Sequence, residues 1–268
     1  MQSQYKTTFD DDRSIIVFTL HKSASTLINL LCNTLSDLSG LQYYSPHQAG
    51  SRIDARALLT NKEVWRTKNS CFAPVRFYVD VPDIEDYKII LHLRDPRDVL
   101  VSMYYSYCFI HDGEIEGNTG YRKEVADQGI DRFVLYMARE KDPDIEGDYG
   151  TGGHVSDITG NLLKRYIDYI DNILGRENTV FVKYEDMVTI FPEWLERFIE
   201  SFPLKNKEDV LHQLVAQSAQ LFPVRPKDIM QHVRHVTPGD HKNKLKEETI
   251  MELNDIFRDV LYTLGYGN

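Results

Sequence analysis

Three short runs of apolar and β-branched residues, Ser14–Leu20, Lys88–Leu93 and Thr179–Lys183, stand out along the chain. None alternates cleanly between polar and apolar positions, as expected of parallel strands covered on both faces. Each leads into a helical repeat. Leu27, Leu30, Leu31, Thr34, Leu35 and Leu38 fall on one face of a helix predicted over Thr26–Leu38. Pro96 suits the first turn of a helix reaching Tyr107, because its missing N–H costs nothing there, and Pro192 does the same before Trp194–Phe202. Lys244–Leu264 reads as one further amphipathic helix. Strand, turn and helix in repetition predict an α/β fold of three layers, α/β/α, with a central, mostly parallel sheet and right-handed crossovers. Ile110–Gly129, the Gly-rich and acidic Lys141–Gly160, and the basic Arg225–Lys242 show neither period and read as loops.

Composition narrows the class. The chain has 268 residues, without internal repeat or linker, and reads as a single domain over 1–268. With 42% hydrophobic and 27% charged residues it is ordinary globular material. No apolar run approaches the roughly 20 residues of a membrane span, and the polar start, Met1–Asp12, lacks the basic and apolar regions of a secretory signal. Cys32, Cys71 and Cys108 are odd in number and scattered, which indicates neither a disulfide framework nor a zinc site. A soluble, cytoplasmic protein with no membrane partner is expected. The net charge of −10 argues against a nucleic-acid partner, which needs clustered cations, yet leaves room for an anionic small ligand in a local basic pocket. Oligomeric state is left open.

Three segments carry that chemistry. The first strand runs into His21-Lys22-Ser23-Ala24-Ser25-Thr26 at a helix start. A turn of small residues lets N–H groups converge on an anion at the positive end of the helix, with Ser25 and Thr26 adding hydroxyls and Lys22 a mobile charge. It is not a Walker A loop, since the lysine comes first and no glycine is present. Arg94 closes the second strand and Ser102 lies two turns into the next helix. Together they suit a terminal phosphate, although an Arg94–Asp98 ion pair capping the helix is the plain structural alternative. The third segment, Arg234-His235-Val236-Thr237-Pro238-Gly239-Asp240-His241-Lys242-Asn243, joins a cationic entry to a Pro-Gly turn.

Together these segments resemble the PAPS-dependent sulfotransferase family, the cytosolic and bacterial type. Lys22 to Thr26 are similar to its K-S-G-T-T loop, with Ala24 where glycine is usual. Arg94 through Tyr105 match its R-x-P-x-D-x-x-x-S-x-Y-Y segment. Arg234, Gly239, Asp240, Lys242 and Asn243 match its R-K-G-x-x-G-D-x-K-N loop, from which His235 and Val236 depart. Tyr184, in Tyr184-Glu185-Asp186-Met187, looks like the adenine-contacting tyrosine. The resemblance spans Ser14 to Asn243 and implies a P-loop NTPase-like sulfotransferase fold.

The activity it implies is transfer of sulfonate from 3′-phosphoadenosine 5′-phosphosulfate (PAPS) to a hydroxyl or amine of a small-molecule acceptor, releasing adenosine 3′,5′-bisphosphate (PAP) without a metal. Lys22, with the N–H groups of Ser23, Ala24, Ser25 and Thr26, would stabilise the leaving phosphate. Arg94, Ser102 and Arg234 would hold the 3′-phosphate, and the neighbouring His235 is a further anion contact to the donor. The family's K-T-H histidine is missing: Ser70–Arg76 stands there, so His111 is the first candidate base, His47 the second, and Asp112 and Glu114 outside candidates. Leu27 stands where relatives carry a stacking tryptophan. Two alternatives are a nucleotide-binding protein without transfer activity, and a Mg-dependent phosphotransferase with Asp95 holding the metal.

Overall fold

The computed structural model describes residues 13–47, 53, 55–109, 127–140, 160–218 and 237–267. Its five strands are β1 (Ile15–Phe18), β2 (Gln42–Tyr44), β3 (Ser70–Val75), β4 (Lys88–Leu93) and β5 (Thr179–Lys183). They form one sheet in the order β2-β3-β1-β4-β5, and every pair is parallel. The expected three-layer architecture is therefore present. β1 and β3 are buried along their whole length, whereas β2 and β5, at the two edges, are partly exposed.

Alternate residues of the central strands supply two cores. Ile16 and Phe18 of β1 with Ile89, Leu91 and Leu93 of β4 face one layer. That layer contains α3 (Pro96–Phe109), α4 (Ile130–Arg139), α5 (Leu162–Asn172), α10 (Glu247–Ile256) and α11 (Arg258–Thr263). Ile15, Val17 and Ile90 face the other, against α1 (Ser25–Ser39), α6 (Tyr184–Thr189), α7 (Phe191–Ile199) and α8 (Lys207–Ala216). Two smaller helices, α2 (Ala55–Thr60) and α9 (His241–Lys244), complete the described set.

Three features differ from the expectations. The predicted strands were three, and β2 and β3 went unseen. β2 has only three residues, and Ser70 and Pro74 break the apolar character of β3. The C-terminal segment is not one helix from Lys244 to Leu264. Leu245 and Lys246 are extended, and the chain breaks again at Phe257 (φ −100°, ψ 15°), whose ring is buried edge-on to Tyr166. Finally, α7 stops at Ile199, short of Phe202. Of the expected loops, 110–126, 141–159 and 225–236 lie outside the described residues, and His241 and Lys242, expected at the end of the last loop, already belong to the helix His241–Lys244.

Candidate active site

The first two segments singled out above and the described part of the third, 237–243, meet at the carboxyl edge of the sheet, where the β1 and β4 loops open. After β1 the chain enters α1 through a turn in which Lys22 (φ 60°) and Ala24 (φ 57°) are both left-handed. Neither is glycine, so each is strained by about 1 kcal/mol. The gain is a backbone that turns its donors outward. Ile28 N–H is the first to close onto the helix, at Ala24 O (3.0 Å), so Ser25, Thr26 and Leu27 present N–H groups with no intrahelical acceptor. The buried Ser23 hydroxyl has no partner either.

Arg94 arrives from the end of β4. It is 2% exposed, donates from Nη1 to Lys22 O at 2.8 Å, and lies 4.3 Å above the Tyr184 ring. Its Nε is buried without a hydrogen-bond partner. The guanidinium thus stiffens the β1 loop on one side and retains donor capacity on the other.

Asp98 does not pair with Arg94. Its Oδ2 accepts from Gly239 N–H (2.7 Å), and its Oδ1 from His241 N–H (2.9 Å) and His241 Nδ1 (2.7 Å). The helix-capping ion pair gives way to these three donors, while Arg94 is held by the Lys22 carbonyl and the Tyr184 ring. Along α3, Asp98, Ser102 and Ser106 follow at four-residue steps and so form one stripe. Asp98 grips the turn at 239–241, Ser106 accepts a hydrogen bond from Lys22 Nζ, and Ser102 lies half-buried between them. One helix therefore ties all three segments together.

Beneath Arg94 the polar groups are fully committed. Asp95 is gripped by Arg97 through Nε–Oδ1 (3.0 Å) and Nη2–Oδ2 (2.6 Å), and its N–H donates to Glu185 Oε1 (3.0 Å). Tyr266, near the C-terminus, donates to Glu185 Oε2 (2.9 Å), while its carbonyl accepts from Arg97 Nη2 (2.9 Å). Burial pushes the Glu185 carboxyl up despite these bonds. Both Asp95 oxygens are held by Arg97, whose cation beside them disfavours a second positive charge such as Mg²⁺. Among the described residues no cluster of metal-ligating side chains occurs.

On the β3 side, His47 Nε2 accepts from Arg76 N–H at 3.3 Å, so its remaining proton sits on Nδ1. Burial, and after it the charges of Arg76 and Arg165, hold His47 well below its usual range. His21 responds the same way to burial, then to Arg76 and Lys22, and its Nδ1 is buried without a partner. Tyr169 OH fixes the frame: it donates to Thr19 O (2.8 Å) and lies 3.3 Å from Val75 O, at the ends of β1 and β3.

Of the residues expected at the site, Lys22, Ser23, Ala24, Ser25, Thr26, Arg94, Ser102 and Tyr184 are brought together. His47 lies beside Arg76 and His21. His111, Arg234, His235, Asp112 and Glu114 lie outside the described residues. Sequence reasoning passed over His21, Ser106, Glu185 and Tyr266. Only Ser106 carried a legible signal, the D-x-x-x-S-x-x-x-S spacing from Asp98.

A family model described as "Sulfotransferase domain" matches residues 83–265. No curated protein matches the chain significantly. Among solved structures, the chain is similar to mouse sulfotransferase SULT7A1 complexed with PAP, with 14% identity and a TM-score of 0.63, covering 93% of this chain and 84% of that one. It is also similar to retinol dehydratase in complex with androsterone and the inactive cofactor PAP, with 13% identity and a TM-score of 0.53, over 92% and 80% of the two chains. At such identities the likeness is one of fold. No helix among the described residues is long and apolar enough to cross a membrane.

Proposed function

The chain belongs to the sulfotransferase domain family, and from that premise we propose that it transfers sulfonate from PAPS to a hydroxyl or amine of a small-molecule acceptor, releasing PAP. The observation that carries the reading is the convergence of Lys22, the first N–H groups of α1 and the buried Arg94 at one edge, with Arg94 bonded to the Lys22 carbonyl at 2.8 Å. The orphaned Arg94 Nε and Ser23 hydroxyl are donors awaiting an anion, which fits a ligand bearing two phosphate groups. The neighbours in complex with PAP, and in one case with androsterone as well, support both the donor and a small-molecule acceptor. Two free, buried cysteines suit a reducing, cytoplasmic setting.

In this reading PAPS supplies an activated sulfonate on a phosphate leaving group. Lys22 neutralises charge growing on that phosphate, helped by the N–H groups of Ala24, Ser25 and Thr26; the Ser23 N–H expected with them donates instead to Leu20 O (3.3 Å). Arg94 and Ser102 take the 3′-phosphate, with Arg234 and His235 assigned to the same end. Tyr184 supports Arg94 and the adenosine beyond it. The acceptor's proton goes to a neutral imidazole. His111 and His47 are both candidates by position. Within the described residues His21 is the better placed, because the His47 Nε2 lone pair is engaged by Arg76 N–H. His21 thus stands in for the missing K-T-H histidine, which favours transfer over a role limited to nucleotide binding.

Calorimetric titration with PAP, AMP and ATP in the presence of EDTA tests the proposal. Metal-free PAP binding that collapses without the 3′-phosphate is expected. Binding of ATP alone, and only with Mg²⁺, would overturn it in favour of a phosphotransferase.

A further inference from the structure

Asp98 is the third residue of α3, where a carboxylate ordinarily serves its own helix by capping N–H groups or facing the positive end of the dipole. Here it looks away. Its two oxygens accept three hydrogen bonds from a turn 141 and 143 residues further along the chain, Gly239 N–H at 2.7 Å, His241 N–H at 2.9 Å and His241 Nδ1 at 2.7 Å. Asp98 is 0% and His241 1% exposed, so neither side chain has water as a substitute partner. Gly239 sits at φ +81°, a conformation that L side chains rarely adopt, which shapes the turn so that both N–H groups face one carboxylate.

The location distinguishes this contact from an ordinary staple. Asp98 lies one helical turn beyond Arg94, and its stripe on α3 continues through Ser102 to Ser106, the partner of Lys22. Burial raises the Asp98 carboxyl, but the His241 bonds and the field of Arg94 outweigh it and leave the group ionised below its ordinary range. Asp98 feels the Arg94 cation without a hydrogen bond to it, because three of its lone pairs are taken by the 239–241 turn while Arg94 Nη1 donates to Lys22 O (2.8 Å). Arg94 therefore stays available to a ligand, and the turn leading into Lys242 and Asn243 is docked on Asp98, four residues further along.

We propose that Asp98, through its bonds to Gly239 and His241, is a positioning residue for the 3′-phosphate of the donor, holding the 239–243 turn against the helix start that follows Arg94. This rests on the PAPS reading above. It predicts an effect confined to the 3′-phosphate, not a general loss of nucleotide affinity.

The test compares affinities for PAP and AMP by calorimetry in the intact protein and in Asp98→Asn and His241→Asn, with melting temperatures alongside. Asp98→Asn is isosteric but turns an amide toward N–H donors, so one or more of the three bonds is lost. PAP affinity should fall about 10-fold or more, AMP affinity should change less than about threefold, and the preference between them should shrink accordingly. His241→Asn keeps a donor near the Nδ1 position and should lose less of the PAP preference than Asp98→Asn does. A folded Asp98→Asn with unchanged preference, or with PAP and AMP weakened equally, overturns the assignment. Should Asp98→Asn fail to fold, His241→Ala, which removes one bond of the three, is judged by the same ratio. If the unaltered protein does not bind PAP, the PAPS reading itself falls, and the assignment with it.

Discussion

The loops after β1 and β4 lie side by side yet are built on opposite principles. The first, Leu20 to Ser25, holds two non-glycine residues in left-handed conformations and leaves the Ser23 hydroxyl and His21 Nδ1 buried without partners. The second, Leu93 to Asp98, is cross-linked: Asp95 to Arg97 and Glu185, Glu185 to Tyr266, Asp98 to Gly239 and His241. Strain and unmet donors gather where a ligand is expected to supply the missing partners, while the saturated neighbour provides the rigidity that sustains them. Arg94 belongs to both, emerging from the saturated turn to grip the carbonyl of the strained one.

That contrast can be broken from the strained side first. Lys22→Ala should lower transfer by about 100-fold or more, as loss of a group that stabilises transition-state charge does, while leaving PAP affinity much less affected. Equal losses in turnover and PAP affinity would reduce Lys22 to an anchor. Arg94→Ala should weaken PAP by about 10- to 100-fold, the scale of a charge-assisted contact, and abolish discrimination against AMP. Retained discrimination would remove Arg94 from the 3′-phosphate. Substituting His21 and His47 separately by Gln sharpens the same side. Transfer should collapse in His21→Gln with PAP affinity intact, and the reverse ranking would return the base to His47.

The saturated side should respond in stability before binding. Tyr266→Phe leaves the buried Glu185 Oε2 without its donor and should cost about 1–3 kcal/mol in denaturant unfolding. An unchanged midpoint would show that the carboxyl finds another partner. Acid should act through the histidines. Burial, followed by the charge of Arg94, depresses His92 to about 3 from its ordinary 6.5, and His21 and His47 shift in the same direction. The unfolded chain then binds the extra proton, so this stability is complete above about pH 6.5 and is lost as pH falls toward 3. At pH 5 His92 alone accounts for about 2 kcal/mol, which His92→Gln should remove from the pH dependence. The smallest effect belongs to Ala24→Gly, which relieves the left-handed strain and should stabilise the fold by up to about 1 kcal/mol. A loss of stability would mean that the extra freedom of the unfolded chain outweighs the relief.

Much of the architecture was legible because it rests on local periodicity. The apolar runs of β1, β4 and β5, the leucine face of α1 and the prolines opening α3 and α7 all report burial pattern and backbone chemistry that neighbours in the chain decide between themselves. β2 and β3 were not legible for the converse reason. Gln42–Tyr44 and the Pro-containing Ser70–Val75 become strands because β1 lies beside β3 and extends the sheet, not because of their own propensity. The same line divides the site. Lys22, the small residues after it and Arg94 lie at strand ends, where sequence order already places ligand-facing groups. Which polar groups would be consumed and which left free was decided only by tertiary structure. Asp98 turned from its own helix and from Arg94 to a turn 141 residues away, Tyr266 came from the far end of the chain to hold Glu185, and Arg76 N–H took the lone pair of His47. A carboxylate or imidazole has few lone pairs, and the nearest buried donor takes them, whatever its distance along the chain.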